Sequence, residues 1–309
     1  MKALVIGFGS IGQRHARVLA AMGHDVAVVS RRPVDHPRLY GSLTEAVQGF
    51  QPDYVVIASR TNEHGDDLAQ LAGLGFQGLV LVEKPLFEAA KPLPANRFQA
   101  AFVAYNLRFH PVIRALRDAV VQLGGKPVAV RAAVGQYLPF WRPGTDYRTS
   151  YSASAAQGGG VLRDLSHELD YLTWIFGNWR DLAALGGKLS SLEIDSEDTF
   201  AILARLSACP VVTLQLNYLD HTRMRDVVAT FDGHTVRADL AAGTVSVDGV
   251  ERHFVAGPDD TYLAQHAALL DGRHEDLCPL SGGLDINAMI DAAEKAAREG
   301  RWVQRGEYF

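Results

Sequence analysis

A lysine closes an apolar run in the segment VLVEKPLF, residues 80–87. Pro85 has no N–H and cannot continue a central strand, so the strand is predicted to end at Glu83 and Lys84. Ligands of parallel α/β sheets collect at the carboxyl ends of strands. A lysine there could donate or accept a proton if desolvation or nearby positive charge lowers its pKa toward neutrality. The alternative is a strand-end ion pair with Glu83.

A second group of ionisable residues lies in GGGVLRDLSHELDYLTWIFG, residues 158–177. The apolar residues of this segment recur every three or four positions and predict one helix with a buried stripe, formed by Val161, Leu165, Leu169, Leu172 and Phe176. A separate stripe contains Asp164, His167, Tyr171 and Trp174. Asp170 lies three residues after His167 and could orient its imidazole. His167 could relay a proton to Lys84 or to a substrate hydroxyl; the alternative is a structural hydrogen bond at a domain contact.

The N-terminus carries the glycine pattern G-F-G-S-I-G at Gly7, Gly9 and Gly12. The pattern follows an apolar strand and opens a helix, with Ser10 and Ile11 in its first turn. The first glycine makes the tight turn, the second lets the backbone approach a pyrophosphate, and the third allows close helix packing. These features predict a dinucleotide site, against the alternative of a merely tight turn.

The second strand ends at Ser30, Arg31 and Arg32, without the acidic residue that usually binds the ribose 2′-OH of NAD. A guanidinium can instead pair with a 2′-phosphate. NADP is therefore favoured over NAD as the cofactor, with solvated turn arginines as the alternative.

Two domains are predicted for this chain of 309 residues. Short, non-alternating apolar runs separated by helical patterns indicate a doubly wound parallel sheet over residues 1–106. Residues 107–309 contain longer alternating strands, which indicate an open, mostly antiparallel sheet covered by helices. The fold class is thus α/β followed by α+β, and the second sheet offers a face for a homodimer or homotetramer.

Composition excludes several other classes of protein. The net charge is −5 without a basic run, which argues against nucleic acid or an anionic membrane as a partner. The two cysteines lie far apart and form no metal-binding pattern, so no metal site is predicted and a reducing compartment is expected. No apolar stretch is long enough for a transmembrane helix, and the opening MKALVIG is too short for a secretory leader. We expect a cytoplasmic protein with a small-molecule partner.

These motifs together resemble the glucose-fructose oxidoreductase and inositol dehydrogenase family, Gfo/Idh/MocA. The resemblance is carried by the glycine loop, by E-K-P at 83–85, by N-L-R-F at 106–109 and by D-L-S-H-E-L-D at 164–170. It implies NAD(P)-dependent oxidation or reduction at a carbon that bears a hydroxyl or carbonyl group, in a sugar, sugar acid, nucleotide sugar or cyclitol. A catalytically silent dinucleotide sensor on the same fold is the alternative.

The resemblance also assigns site residues. It implies that Lys84 is the catalytic acid/base and His167 the active-site histidine, and that Glu83 and Lys84 lie at the cofactor. The stretch 59–64 resembles the loop near the ribose and nicotinamide: Asn62 and His64 match, and Arg60 replaces a commoner proline. The cofactor-binding candidates in this stretch are Ser59, Asn62 and His64. Asp164 is a weaker catalytic candidate, because many members place the aspartate four residues before the histidine, where this chain has Arg163.

Arginines and aromatic residues are dense in the segments expected to bind the substrate. Arginine recognises carboxylate or phosphate groups, and aromatic rings lie against sugar or base faces. A substrate with an acidic group is therefore a hypothesis, with ordinary packing or surface roles as the alternative. Together with Lys84, Asp164 and His167, the substrate-binding candidates are Arg108, Tyr137, Trp141, Arg142, Tyr147 and Arg148.

Overall fold

The computed structural model describes every residue from Met1 to Phe309. The helices are α1 (Ser10–Ala21), α2 (Leu43–Phe50), α3 (His64–Gly73), α4 (Pro111–Gln122), α5 (Val161–Asp164), α6 (His167–Phe176), α7 (Asp260–Leu270) and α8 (Leu280–Glu299). The strands are β1 (Lys2–Ile6), β2 (Asp25–Val29), β3 (Leu39–Tyr40), β4 (Tyr54–Ile57), β5 (Leu79–Val82), β6 (Ala100–Val103), β7 (Ala129–Gly135), β8 (Trp179–Gly187), β9 (Thr199–Leu206), β10 (Val211–Asn217), β11 (Met224–Thr230), β12 (Thr235–Asp239), β13 (Thr244–Val247), β14 (Val250–His253), β15 (Cys278–Pro279) and β16 (Val303–Gln304). None of the helices combines the length and apolar character needed to cross a bilayer.

The chain forms two compact units. The first contains Met1–Phe109 and Gly257–Leu284, and the second contains His110–Ala256 and Asp285–Phe309. The sequence placed the boundary after residue 106 and assigned all later residues to the second domain. The return of Gly257–Leu284 differs from that prediction: α7 packs against α1 and against the 3₁₀ turn Asn106–Phe109, where the Asn106 amide donates to the Thr261 hydroxyl at 2.7 Å.

The first unit is built on a seven-stranded sheet with the order β15-β6-β5-β4-β1-β2-β3. All pairs are parallel except that between β15 and β6, which confirms the predicted doubly wound sheet. Strands β4 and β5 are buried at every residue because helices cover both faces of the sheet. The chain leaves β1 toward β2 on one side and later forms β4 on the other, so the carboxyl ends of β1 and β4 flank the topological switch point.

The second unit is built on a nine-stranded sheet with the order β14-β13-β12-β11-β7-β10-β9-β8-β16. Only β7 and β10 pair in parallel, which confirms the predicted mostly antiparallel sheet. Alternation is clear in β9, where every second side chain is buried. Helix α4 packs on β12 and β13 on one face. On β8, β9 and β10 the outward side chains include the exposed Leu185, Leu203 and Val211.

The segment predicted to form one helix after Gly160 contains two. Helix α5 ends at Asp164, Leu165 leaves helical geometry at φ −101° and ψ 25°, and α6 begins at His167. The predicted apolar stripe is buried throughout, from Val161 to Phe176. Asp164 and His167 therefore lie on different helices, and their three-residue spacing is not a helical register.

Candidate active site

The glycine loop joins β1 to α1 in a conformation that only glycine adopts without strain. Gly7 has φ +87°, and its N–H donates to the Val29 carbonyl at 3.0 Å. A Cβ on Gly7 would lie 2.6 Å from the Ala58 carbonyl oxygen, and one on Gly12 would lie 2.0 Å from the Gly7 carbonyl oxygen. The loop thus packs directly on the end of β4 and on itself.

The outer side of this loop is open. A Cβ on Gly9 would meet nothing within 4 Å. Helix α1 starts at Ser10 with no acidic residue in its first turn and no side-chain cap, so the first-turn N–H groups, including those of Ser10 and Ile11, have no intrahelical acceptor. A helix N-terminus of this kind binds anionic phosphate groups. The residues present therefore fit a dinucleotide whose pyrophosphate faces Gly9.

The end of β2 presents two exposed arginines and no carboxylate of its own. The Ser30 hydroxyl accepts the Arg32 N–H at 3.2 Å and donates to the Arg32 carbonyl at 2.9 Å, which fixes the turn. The Arg31 side chain is 79% exposed and pairs with Glu63 at 3.2 Å. Glu63 belongs to the 3₁₀ turn Thr61–Glu63, which also carries the exposed Asn62.

His64 links the loop after β4 to the loop after β5. Its Nδ1 lies 3.1 Å from the Pro85 carbonyl oxygen, and its Nε2 lies 3.2 Å from the Ser59 carbonyl oxygen. Burial lowers the pKa of this imidazole, although the charge of Glu83 and the carbonyl contacts oppose the effect. His64 is 1% exposed and so holds the two loops together from within. The Ser59 hydroxyl donates to the buried Asp67 carboxylate at 2.5 Å.

Glu83 and Lys84 follow β5 at its carboxyl end, as predicted. The Glu83 side chain is buried, and its Oε2 accepts the main-chain N–H of Lys84 at 3.0 Å. Burial by itself would raise the pKa of Glu83, but a hydrogen bond with His15 and the charge of Lys84 outweigh it and bring the pKa below its usual value. Lys84 is half-buried, and the Lys84–Pro85 peptide bond is cis.

Three residues that the sequence reasoning missed are connected to Glu83. His15 Nε2 lies 2.8 Å from Glu83 Oε1, His15 Nδ1 lies 2.9 Å from His266 Nε2, and His266 Nδ1 lies 2.8 Å from the Tyr54 hydroxyl. The one signal available in the sequence was a histidine within each of two apolar helical stretches. Spacing gives no hint of their contact, since His15 and His266 are 251 positions apart.

In the second unit Asp164 accepts hydrogen bonds from two tyrosines. The Tyr151 hydroxyl donates to Asp164 Oδ1 at 2.5 Å, and the Tyr218 hydroxyl donates to Oδ2 at 2.6 Å. Burial and the charge of Asp164 raise the pKa of both tyrosines well above their usual value, so both hydroxyls keep the protons that they donate. Asp164 is 6% exposed and fixes the end of α5 against β10 and the loop before α5.

Arg163 occupies the position four residues before His167 and is an ion-pair residue. Its guanidinium lies 2.5 Å from the Glu294 carboxylate and 3.7 Å from that of Glu197. Burial raises the pKa of Glu197 to about 7, although Arg163 acts in the opposite direction. A Cβ on Gly160 would collide with the Glu197 carboxylate at 2.1 Å, so the last glycine of the triplet makes room for this cluster.

His167 begins α6 and is half-buried, while the rest of its predicted stripe has other roles. Tyr171 is fully buried and donates to Glu168 at 3.2 Å. The Trp174 ring lies 4.2 Å from the Arg117 guanidinium. Asp170 is buried, at 1% exposure.

Some of the predicted substrate residues form a group in the second unit. The Arg142 guanidinium lies 5.9 Å from the centre of the Tyr151 ring. Trp141 donates through Nε1 to the Gln136 carbonyl at 3.0 Å and meets the Tyr218 ring edge-on at 5.2 Å. Because Tyr151 and Tyr218 both bind Asp164, Arg142 and Trp141 lie beside the residues that hold the end of α5.

The other predicted substrate residues have protein partners. Arg148 binds Asp146 with two nitrogens and also reaches Glu193 at 3.1 Å. The Tyr147 hydroxyl accepts the Glu193 N–H at 3.2 Å, and the Tyr137 ring stacks on His221 at 4.1 Å. Arg108 lies in the first unit, is 7% exposed and donates to the Leu277 carbonyl at 3.2 Å. Arg142, in contrast, is exposed and lies over the Tyr151 ring.

Solved structures of known proteins share this fold. GenD2 from gentamicin A biosynthesis, in complex with NAD, is 24% identical with a TM-score of 0.80, over 98% of this chain and 96% of its own. Levoglucosan dehydrogenase in complex with NADH and levoglucosan is 15% identical with a TM-score of 0.83, over 98% of both chains. An oxidoreductase from Agrobacterium radiobacter, in complex with NAD⁺, L-tartaric acid and magnesium, is 18% identical with a TM-score of 0.80, over 100% and 99%. No curated protein matches the chain.

Family models match part of each unit by sequence. The model of the oxidoreductase family with an NAD-binding Rossmann fold matches residues 1–111, and the model of the GFO/IDH/MocA C-terminal domain matches residues 114–238. The first match contains the whole glycine loop and Lys84, and the second contains Asp164 and His167. The chain therefore belongs to the Gfo/Idh/MocA family of NAD-binding oxidoreductases.

Proposed function

We propose that this chain transfers a hydride between a nicotinamide dinucleotide and a carbon that bears a hydroxyl or carbonyl group in a small, sugar-derived substrate. The observation that carries the proposal is the place of Lys84. It stands at the carboxyl end of β5, in the unit that also holds the open glycine loop, and its main chain is fixed by Glu83. Ligands of this sheet type bind along that edge.

Each group of residues has a separate role in the proposed reaction. The N-terminus of α1 and the loop around Gly9 bind the pyrophosphate. The nicotinamide, when bound, accepts the hydride in oxidation and donates it in reduction. In oxidation Lys84 Nζ takes the hydroxyl proton as the C–H bond breaks, and in reduction it returns a proton to the carbonyl oxygen. The family resemblance gives His167 a supporting acid/base role in the same reaction.

The substrate class is supported by chemistry and by similarity. Similar structures contain levoglucosan, L-sorbose or L-tartaric acid, and one comes from gentamicin A biosynthesis. Arg142, beside the aromatic rings of Trp141 and Tyr151, adds a site for a carboxylate or phosphate. A sugar acid or nucleotide sugar fits this arrangement better than a neutral sugar does.

For the cofactor we propose a preference for NADP over NAD. No carboxylate follows β2 directly, and Arg31 and Arg32 are exposed there. Glu63 would compete with a 2′-phosphate for the Arg31 guanidinium, because it pairs with Arg31. An exposed ion pair contributes at most about 1 kcal/mol, whereas a 2′-phosphate offers up to two charges and several acceptors to the same guanidinium.

The outward face of β8, β9 and β10 supports the proposal of a homodimer or homotetramer. Leu185, Leu203 and Val211 expose apolar surface there without cover from the same chain. A second copy of this sheet would provide a matching apolar face.

The test is a panel of neutral sugars, sugar acids, nucleotide sugars and cyclitols, each supplied with NAD⁺, NADP⁺, NADH or NADPH while nicotinamide absorbance is followed. Turnover of at least one class is expected. If both cofactors bind but no compound changes their redox state, the chain is a dinucleotide sensor instead. A sensor needs the glycine loop but has no use for Lys84 and His167, and this chain has both.

A further inference from the structure

We propose that His15, His266 and Tyr54 are positioning residues that hold Glu83 ionised in one orientation and thereby set the protonation of Lys84. The inference rests on the proposed acid/base role of Lys84. It assigns a purpose to a hydrogen-bonded chain that lies wholly within the first unit and that no part of the reaction described above requires.

This hydrogen-bonded chain is continuous and buried. It runs from Tyr54 on β4 to His266 on α7, then to His15 on α1, and ends at Glu83 after β5, with spacings of 2.8, 2.9 and 2.8 Å. The first three residues are 0% exposed and Glu83 is 7% exposed. Buried polar groups of this kind are retained only when they are satisfied, because each unpaired one costs roughly 1–3 kcal/mol.

A single arrangement of protons satisfies every donor. His266 is the hydrogen-bond partner of the buried Tyr54 hydroxyl, so the phenol donates its proton to His266 Nδ1. His266 then carries its own proton on Nε2 and donates it to His15 Nδ1. His15 in turn carries its proton on Nε2 and donates it to Glu83 Oε1. All donors point toward Glu83, which holds the one negative charge of the chain.

The directions of the pKa shifts agree with this arrangement. Burial and the charge of Glu83 raise the pKa of Tyr54 well above its usual value, so the phenol stays protonated. Burial lowers the pKa of His266 well below its usual value, so that ring is neutral. The pKa of Glu83 lies below its usual value despite its burial.

Several other titratable or charged groups lie near this hydrogen-bonded chain of four residues. Lys84 and His64 lie near Glu83, and His24 acts electrostatically on His266. The Tyr262 ring meets His15 edge-on at 5.5 Å, beneath the Arg14 guanidinium, which also reaches Asp259 at 3.5 Å. The Tyr262 hydroxyl takes no part in the chain, so Tyr262→Phe is a matched control.

The charge of Glu83 bears directly on Lys84. A carboxylate at the adjacent residue favours the protonated lysine. If His15 cannot donate, the buried carboxylate of Glu83 loses the bond that keeps it ionised and takes up a proton. Lys84 then loses its anionic neighbour, and its pKa falls.

The experiment measures the protonation of Lys84 without a substrate. The rate of reductive methylation of Lys84, followed by peptide mass spectrometry across pH, gives its titration midpoint in the full-length protein. Glu83→Gln and His15→Phe are expected to lower this midpoint by about one to three pH units. Tyr54→Phe and His266→Phe should lower it less, and Tyr262→Phe should leave it unchanged. If His15→Phe does not fold, the near-isosteric Glu83→Gln and Tyr54→Phe decide the matter.

Histidine ¹H–¹⁵N spectra supply a second readout. Both His15 and His266 are expected to carry a ring proton on Nε2 and none on Nδ1. A proton on Nδ1 of either ring, or an unchanged Lys84 midpoint in folded Glu83→Gln, would overturn the inference. Failure of the proposed function looks different: no compound would then change the redox state of either dinucleotide, whatever the titration of Lys84. Failure of the acid/base role alone would leave hydride transfer intact in Lys84→Met.

Discussion

Glu83 Oε2 accepts the main-chain N–H of Lys84 at 3.0 Å, so the residue proposed to move the proton is held by the carboxylate of its own neighbour. The bond uses the backbone N–H of Lys84 and not its side chain. Substitution of the lysine side chain therefore keeps this main-chain anchor. The chemistry of this residue can therefore be tested separately from the fold.

Lys84→Met is expected to reduce the turnover number by about 10²- to 10⁴-fold, the usual contribution of general acid–base catalysis. Dinucleotide affinity should change by less than about threefold, because the glycine loop is intact. Steady-state kinetics and fluorescence titration of the cofactor give the two numbers. Lys91→Met is the matched control, since Lys91 pairs with Glu88 and lies over the Phe87 ring. Equal losses in both variants would contradict the role of Lys84.

Arg31→Ala is expected to weaken NADP⁺ binding by about tenfold or more, because a charge-assisted contact to the 2′-phosphate is lost. NAD⁺ binding should stay within about twofold. Glu63→Gln should act in the opposite direction on NADP⁺, because it removes the carboxylate that pairs with Arg31. Isothermal titration with both dinucleotides separates these outcomes. Tighter binding of NAD⁺ than of NADP⁺ by the wild type would reject the proposed preference.

Asp164→Asn is expected to destabilise the protein by about 1–3 kcal/mol. The two carboxylate oxygens of Asp164 each accept a hydrogen bond from one tyrosine hydroxyl, and an amide has only one acceptor oxygen. Urea unfolding measures the loss. Tyr151→Phe and Tyr218→Phe each remove one donor and serve as comparisons. If Asp164 is purely structural, the three variants lose activity in proportion to stability. A turnover loss in Asp164→Asn far beyond that of the tyrosine variants would make it a catalytic residue.

Glu197→Gln is expected to change how stability depends on pH. The folded protein raises the pKa of Glu197 to about 7 from 4.5, chiefly through burial. The group therefore stabilises the fold below its unfolded pKa, and this contribution is lost as pH rises through the folded pKa. The free energy of unfolding of Glu197→Gln, measured relative to that of the wild type, should therefore increase by about 1–3 kcal/mol from ~pH 5 to ~pH 8.

Thermal unfolding at both pH values measures this gain. Glu193→Gln is a suitable comparison, because Glu193 lies on the surface beside Arg148 and its side chain is 69% exposed. The difference in stability between Glu193→Gln and the wild type should be the same at both pH values. A pH-independent difference for Glu197→Gln would contradict the expected titration.

The local parts of the site could be predicted from the sequence. Gly7, Gly9 and Gly12 predict a phosphate loop because their roles are local: close contacts exclude a Cβ at Gly7 and Gly12, and Gly9 leaves the outer side of the loop open. Pro85 marks the end of β5, and thus the place of Lys84, for the same reason. The buried stripe from Val161 to Phe176 also follows from periodicity alone.

The parts of the site that depend on contacts between distant segments could not be predicted from the sequence. His15 and His266 meet only because Gly257–Leu284 returns to the first unit, and no pattern in α7 encodes that return. The break at Leu165 was hidden because the apolar spacing continues across it. The pairing of Arg148 with Asp146 depends on a turn whose geometry the sequence does not specify, so it could not be distinguished from an arginine available to a substrate.

Helix α1 carries two features that bear on the proposed site. Its first turn faces the place of the pyrophosphate, and five residues later His15 reaches Glu83 through a 2.8 Å hydrogen bond. A shift of the helix on dinucleotide binding would therefore be felt at the carboxylate beside Lys84. By thermodynamic reciprocity, any proton taken up or released when the dinucleotide binds must appear as an equal pH dependence of its affinity. The cofactor and the proton would then be two ligands of a single helix.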